Sequence, residues 1–408
     1  MNCGLLGKTL GHSYSPRIHS FLGDYSYDLY EKEPEEVASF LKNGTFTGIN
    51  VTIPYKKAVI PYLDELSSQA RMLGAVNTIV RRPDGTLWGH NTDYFGFQSL
   101  MERTGLVGGG KKALVLGSGG ASNVVCAVLR NMGAIVVIIS RSGENNYGNL
   151  HLHQDAALIV NTTPVGMYPN CGVAPVVLSA FPALLGVVDV IYNPAKTQLL
   201  LDAEALGIPS YNGLWMLVAQ AWEAARCFTG TEIPPSVMKP IYHTLSREMQ
   251  NIILIGMPGC GKSTVGTLLA QKYGKRFVDA DAVIEQLAGK PIPEIFAQDG
   301  EPAFRDWETL ALKELGKQSG LVIATGGGCV TRERNLAALR QNGRVFWLKR
   351  DLHLLPTEGR PLSQSGELEQ MYRKRKPMYE AFAQEVIHNS GSPEETADAI
   401  WKRWEETV

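Results

Sequence analysis

The chain has 408 residues, with 39 Lys+Arg against 40 Asp+Glu, 44% hydrophobic and 19% charged residues. That composition excludes a largely disordered chain, and at about 100–200 residues per domain the length predicts two or three domains. A formal net charge of −1 offers no global field to attract nucleic acid or an anionic membrane, so small molecules are the expected partners.

The opening stretch Met1-Asn2-Cys3-Gly4-Leu5-Leu6-Gly7 has no basic region leading into an apolar one, the pattern of a secretory signal. No run of about 18 apolar residues follows, so no membrane span is expected and the expected location is the cytoplasm. Cys3, Cys126, Cys171, Cys227, Cys260 and Cys329 form no Cys-x-x-Cys pair. They are too sparse for a disulfide framework and are expected to be buried, inert thiols.

The first unit is expected over residues 1–104. It carries Gly11-His12-Ser13-Tyr14-Ser15-Pro16-x-x-His19, then Gly48-Ile49-Asn50-Val51-Thr52-Ile53-Pro54-x-Lys56. Ala75-Val76-Asn77-Thr78 and Gly89-x-Asn91-Thr92-Asp93 follow. Close hydroxyls and amides with one Lys/Asp pair suit a small polyhydroxylated acid, although each segment alone reads equally well as a turn or cap.

The second unit is expected over 105–245, after the connector Gly105–Gly110. Ala113–Leu116, Ile135–Ile139, Leu158–Val160 and Val187–Ile191 read as buried strands. Ser122–Met132 and Leu214–Phe228 have helical spacing, and the helices over 214–245 are expected to return to the first unit. Apolar strands alternating with helices predict parallel sheets covered on both faces. Gly117-Ser118-Gly119-Gly120-Ala121 is a glycine turn between strand and helix, the position at which a dinucleotide pyrophosphate binds. The next strand ends at Ser140-Arg141-Ser142. Arg in place of an acidic residue suits the 2′-phosphate of NADP.

The third unit is expected over 249–408, with strands at Ile252–Ile255, Leu321–Ala324 and Val345–Leu348 and helices at Ser263–Tyr273 and Glu301–Leu315. It joins the second near Ser246–Gln250 without a Gly/Ser spacer. Its opening strand runs into Gly256-Met257-Pro258-Gly259-Cys260-Gly261-Lys262-Ser263, a complete phosphate-binding loop in its required strand–helix context. Backbone N–H groups from Gly259 to Thr264 would cradle ATP phosphates, Lys262 would reach the β/γ-phosphates, and Ser263 would ligate Mg²⁺. Asp279-Ala280-Asp281 leaves a strand end with carboxylates on opposite faces, one for the metal and one for an acceptor hydroxyl. Phe304-Arg305-x-x-Glu308, Gly326-Gly327-Gly328, Arg360-Pro361-Leu362 and Arg373-Lys374-Arg375-Lys376-Pro377 complete the set.

In this order, the motifs of residues 249–408 resemble shikimate kinase. Those of residues 1–245 resemble shikimate dehydrogenase, a likeness extended by Asn161-Thr162-Thr163-Pro164-x-Gly166-Met167, Asp189-x-x-Tyr192-Asn193-Pro194 and Gly213…Gln220. The resemblance implies an α/β fold throughout: a substrate domain, a Rossmann-like dinucleotide domain with Gly213 near its cofactor, and a P-loop kinase domain. It implies NADP(H), ATP and Mg²⁺ as cofactors and 3-dehydroshikimate and shikimate as substrates.

By motif position, Ser13, Ser15, Thr52, Asn77, Tyr192 and Gln220 would hold the dehydrogenase substrate, with Lys56 and Asp93 as its acid/base pair. In the kinase, Asp279 would assist Ser263 at the metal and Asp281 would take the acceptor proton. Arg305, Arg375 and the Gly326–Gly328 loop would hold shikimate, and Arg360 would stabilise charge on the transferred group. Each family pattern is interrupted once: in the dehydrogenase the stretch from Arg141 to Val160 is too short for the usual strand and helix, which places a trim near Gly143–Leu150, and in the kinase Asn389-Ser390-Gly391-Ser392-Pro393 stands where the family often has an Arg close before a Pro near the adenine. The rival readings are a quinate-type dehydrogenase joined to a related kinase, and a ligand-sensing regulator built from degenerate enzyme domains.

Overall fold

The computed structural model describes residues 1–11, 13–106, 109–355 and 365–406. They gather into two compact units. One comprises Met1–Pro164, Pro175–Tyr192 and Asp202–Thr244; the other comprises Val165–Ala174, Asn193–Leu201 and Leu245–Val408.

The first unit holds two sheets. Strands β1 (Asn2–Gly7), β2 (Ser26–Glu31), β3 (Gly48–Val51), β4 (Glu65–Leu66), β5 (Thr78–Arg81) and β6 (Leu87–His90) lie in the order β2-β1-β3-β5-β6-β4. This sheet is mixed, against the expectation of parallel sheets. β5 runs antiparallel to both β3 and β6. For β5 and β6 the cause is the short Pro83-Asp84-Gly85 connection, in which Asp84 Oδ1 accepts from the Thr86 N–H at 3.0 Å. A turn that tight leaves no length for the crossover a parallel pair requires.

The second sheet is wholly parallel. It contains β7 (Lys112–Leu116), β8 (Ile135–Ile139), β9 (Leu158–Asn161), β10 (Gly186–Asp189) and β11 (Ser210–Tyr211), in the order β11-β10-β9-β7-β8. β8 is therefore an edge and not the buried strand its sequence predicts; Ile135 is 57% exposed. In place of a further strand, Gly143–Asn149 folds into a tight loop against the end of β8. Ser140 N donates to the Asn145 carbonyl, and Asn146 and Asn149 close the loop with side-chain bonds of 2.8–3.1 Å. β10 stops at Asp189, short of the expected Ile191. The buried Asp189 carboxylate accepts from Ile191 N at 3.0 Å and from Asn161 Nδ2, which ends the ladder.

The helix Leu214–Thr229 ties the two sheets together. Its Phe228 packs with Cys3 of β1, and it crosses the helix Thr92–Thr104 at Gly96. A Cβ on Gly96 would lie 2.7 Å from the Met216 carbonyl oxygen, so only glycine permits this approach. Phe97, Leu100 and Met101 on the same helix are buried against Val124, Val125 and Val128. Each such side chain contributes roughly 1.5–3 kcal/mol.

The second unit is built on β12 (Asn251–Ile255), β13 (Arg276–Asp279), β14 (Leu321–Ala324), β15 (Gly343–Lys349) and β16 (Glu385–His388), all parallel, in the order β13-β14-β12-β15-β16. The central strand is buried along its whole length. The helix Met238–Met249 runs to within one residue of it, with no intervening spacer. Val165–Ala174 and Asn193–Leu201, which sequence reading places with the second domain, group here with the third. Within this unit Ala195 N donates to Asn342 Oδ1 at 2.7 Å and Lys196 N to the Gln341 carbonyl at 2.8 Å. Among the described residues no helix is long and apolar enough to cross a membrane.

Two candidate active sites

In the first unit a cleft of 270 Å³ is lined by all eight residues expected to handle the dehydrogenase substrate: Ser13, Ser15, Thr52, Lys56, Asn77, Asp93, Tyr192 and Gln220. The Lys56 ammonium donates to Asp93 Oδ2 at 2.7 Å. Lys56 sits past β3 and Asp93 in the first turn of the helix that follows β6, and the ends of β3 and β6, separated by β5, lie on one rim of the sheet and bring them together. Asn77 is buried and fixed: its Oδ1 accepts from Thr92 N at 2.7 Å. Burial pushes the Tyr192 phenol up, keeping it a protonated donor.

Asn50 also lines the cleft, a contact that sequence reasoning left without a role. Its amide donates to Thr78 Oγ1 at 3.1 Å, and its Oδ1 accepts from the Tyr27 hydroxyl at 2.7 Å. The signal was present in the Gly48–Lys56 segment, where Asn50 lies two residues before Thr52, the spacing that puts both side chains on one face of an extended chain. His19 of the Ser-rich motif lies away from the chemistry. It is stacked on Tyr27 at 4.0 Å, hydrogen-bonded to Tyr25, and lowered to about 3 by burial, a neutral core histidine.

Of the expected dinucleotide residues, Ala121 and Gly213 line this cleft, while Gly117, Ser118, Gly119, Gly120, Ser140, Arg141 and Ser142 do not. Gly119 caps, and Gly120 begins, the helix Gly120–Asn131. A Cβ on either would meet nothing within 4 Å. Protein packing therefore does not demand these two glycines, and the open space before a helix N-terminus fits a pyrophosphate. Arg141 and Ser142 are exposed, and Ser140 is tied to the 143–149 loop.

In the second unit a cleft of 470 Å³ lies at the carboxyl ends of β12, β13 and β14. Gly259, Gly261, Lys262, Ser263, Thr264, Asp279, Asp281, Gly326 and Gly327 line it. Cys260 of the loop is buried beneath it, its carbonyl accepting from Asn389 Nδ2 at 2.6 Å. Lys262 curls over the loop, donating to the Gly256 and Met257 carbonyls at 2.9 and 3.0 Å. Ser263 Oγ donates to Asp279 Oδ2 at 2.7 Å. The two acidic residues do not leave a strand on opposite faces as expected. Asp279 ends β13 and caps the helix Ala280–Ala288, accepting from Asp281 N at 3.0 Å, while Asp281 lies in that helix's first turn.

Burial, then the charge of Asp279, raises the Asp281 carboxyl above its ordinary range. Its Oδ1 is buried with no hydrogen-bond partner, as is Oε1 of Glu308. Both converge on Gly326, where a Cβ would lie 2.8 Å from Glu308 Oε1 and 3.1 Å from Asp281 Oδ1. Arg305 donates to Glu308 Oε2 and Glu301 Oε1, each at 2.9 Å. Its guanidinium covers Gly328, where a Cβ would lie 2.3 Å from the terminal nitrogens. Arg375, also buried, donates to the Gly327 carbonyl at 3.3 Å. Arg305, Gly328 and Arg375 thus border the cleft without lining it. Arg350, just beyond β15, does line it; its place past a parallel strand's carboxyl end was the signal available. Arg360 lies outside the described residues.

A family model described as "Shikimate dehydrogenase substrate binding domain" matches residues 5–79, and one described as "Shikimate 5'-dehydrogenase C-terminal domain" matches residues 213–240. The family model described as "Shikimate kinase" matches residues 258–405. The shikimate dehydrogenase (NADP(+)) of Clostridium perfringens strain 13 is 35% identical over 264 residues, 59% of this chain and 97% of that protein. A crystal structure of a chorismate mutase/shikimate 5-dehydrogenase fusion protein from Clostridium acetobutylicum is 35% identical with a TM-score of 0.57, covering 60% of this chain and 96% of that one. The shikimate 5-dehydrogenase of Thermus thermophilus, solved in complex with NADP(H) and shikimate, is 32% identical with a TM-score of 0.54, covering 60% of this chain and 99% of that one. The chain belongs to the shikimate dehydrogenase family and carries a shikimate kinase domain after it, a bifunctional shikimate-pathway enzyme.

Proposed function

We propose that residues 1–245 reduce 3-dehydroshikimate to shikimate with NADPH, and that residues 249–408 phosphorylate shikimate with ATP and Mg²⁺. The observation that carries the first half is the Lys56–Asp93 pair, 2.7 Å apart, in a cleft otherwise lined by hydroxyls and amides. The Ser13, Ser15 and Tyr192 hydroxyls suit the substrate carboxylate, while Thr52, Asn77 and Gln220 suit its ring hydroxyls. NADPH, when bound along the Gly117–Ala121 turn with Arg141 at its 2′-phosphate, supplies the hydride. Lys56 gives a proton to the ketone oxygen, so that C=O plus hydride plus proton becomes CH–OH. Asp93 orients the ammonium and stabilises its charge before transfer. Solvent reprotonates Lys56, which is 31% exposed.

In the kinase half, Ser263 and Asp279 present only oxygens, a donor set suited to Mg²⁺, which neutralises charge on the phosphates. Asp281 accepts the proton of the attacking hydroxyl, and its unpartnered Oδ1 is the atom available for it. Arg305 and Arg375, which border the cleft beside the Gly326–Gly328 loop, would fork onto the substrate carboxylate. Lys262 is poised to exchange its carbonyl partners for phosphate oxygens.

A coupled assay tests both halves. The chain supplied with 3-dehydroshikimate, NADPH and ATP should oxidise NADPH and form ADP in equal amounts. Supplying 3-dehydroquinate in place of 3-dehydroshikimate should give slower NADPH oxidation. Equal or faster oxidation with 3-dehydroquinate would favour the quinate-type reading, and no turnover of either ketone would favour the regulator.

A further inference from the structure

We infer that His90, Glu223 and Cys227 form a binding site for a single Zn²⁺ ion. His90 is the last residue of β6, and Glu223 and Cys227 sit one turn apart on the helix Leu214–Thr229. Their ligand atoms all lie within 4.8 Å of one another, and all three side chains are half-buried. Zn–N bonds of ~2.0 Å and Zn–S bonds of ~2.3 Å place tetrahedral ligands roughly 3.3–3.8 Å apart. Side-chain rotations of about 1 Å would therefore complete the site. One nitrogen, one carboxylate oxygen and one sulfur make a set matched to Zn²⁺, and three protein ligands leave a fourth position for water.

The surroundings are arranged as a ligand site requires. His90 Nδ1 is 2.7 Å from Ser67 Oγ, which is itself fixed by the Ala70 N–H at 3.1 Å. That bond sets the ring's orientation and leaves Nε2 for an ion, the usual second contact of a metal-binding histidine. The ring is further held by stacking on Trp88. Glu223 pairs with Arg226 at 2.9 Å, yet Arg226 also reaches Glu232 at 3.4 Å, so it keeps a carboxylate partner when Glu223 turns to a metal. A thiol that coordinates a metal does so as the thiolate, releasing its proton to solvent. An ion here would clamp the β6 end, two residues before Thr92, to the helix that carries Gln220.

The test is zinc titration of the full chain by calorimetry, with Co²⁺ as a spectroscopic probe. One equivalent of Zn²⁺ should bind the wild type and the Cys171→Ser control, and Co²⁺ should show a thiolate-to-cobalt charge-transfer band. His90→Gln, Glu223→Gln and Cys227→Ser should each weaken Zn²⁺ by about 100-fold or more, and Ser67→Ala by about 10–100-fold. Circular dichroism identifies the variants that fold. Undiminished binding in any folded ligand variant, absence of the cobalt band, or no stoichiometric zinc in the wild type would overturn the assignment.

Discussion

Lys56 Nζ and Asp93 Oδ2 meet at 2.7 Å although 37 positions separate them in the chain. The contact requires the β3-to-β5 antiparallel pairing and the β5–β6 hairpin, which bring the ends of β3 and β6 to one rim of the sheet. Lys56→Ala should lower dehydrogenase kcat by about 10²–10⁴, the scale of general acid–base catalysis. Kinase turnover, measured on the same preparation, should stay near wild type. A folded variant reducing 3-dehydroshikimate at the normal rate would remove Lys56 from the mechanism.

Gly328 and Arg305 make the corresponding pair in the kinase. Arg305 cannot swing aside freely, because Glu301 and Glu308 hold it from two directions. Gly328→Ala should therefore displace the guanidinium and raise the KM for shikimate by about 10-fold or more, the size of one lost charge-assisted hydrogen bond. The KM for ATP should change little. Equal loss for both substrates in steady-state kinetics would show that the change acts on the whole domain.

Asp281 couples stability to pH. Its folded-state pKa is raised, so the folded chain binds this proton more tightly than the unfolded chain. Below the unfolded value of about 3.9 both states are protonated and no penalty exists; as pH rises through the folded value the penalty develops in full. Asp281→Asn should thus raise Tm near neutral pH, lose that gain in acid, and abolish phosphorylation. Wild-type kinase kcat should also fall with acidity at a higher pH than an ordinary aspartate would give. Thermal melts and a pH–rate profile check both; a Tm gain independent of pH would contradict the burial argument.

Arg141 governs cofactor choice in the reading above. It stands exposed at the end of β8, and its positive charge acts on the half-buried Tyr147 of the adjoining loop. Arg141→Asp should raise the KM for NADPH by about 10-fold or more, through loss of a charge-assisted contact, and leave that for NADH nearly unchanged. A wild type that uses NADH as well as NADPH would show that the shortened 143–149 loop has altered the site.

Short-range pattern determined much of this protein. The apolar runs at Ile252–Ile255 and Leu321–Ala324, the glycine loop ending in Lys262-Ser263, and the segments carrying Ser13, Thr52, Lys56, Asn77 and Asp93 are legible because each is a local arrangement of backbone and neighbouring side chains. Tertiary structure decided what depends on partners far away in sequence. An apolar strand such as Ile135–Ile139 reads the same at an edge as in the middle of a sheet, and only the strand order leaves it at the edge. The mixed first sheet follows from hairpin pairing that hydrophobic periodicity does not encode. The bonds of Asn50 to Tyr27 and Thr78, and the meeting of His90 with Glu223 and Cys227, exist only once separate elements pack, because side-chain convergence is a property of the assembled core and not of any one segment.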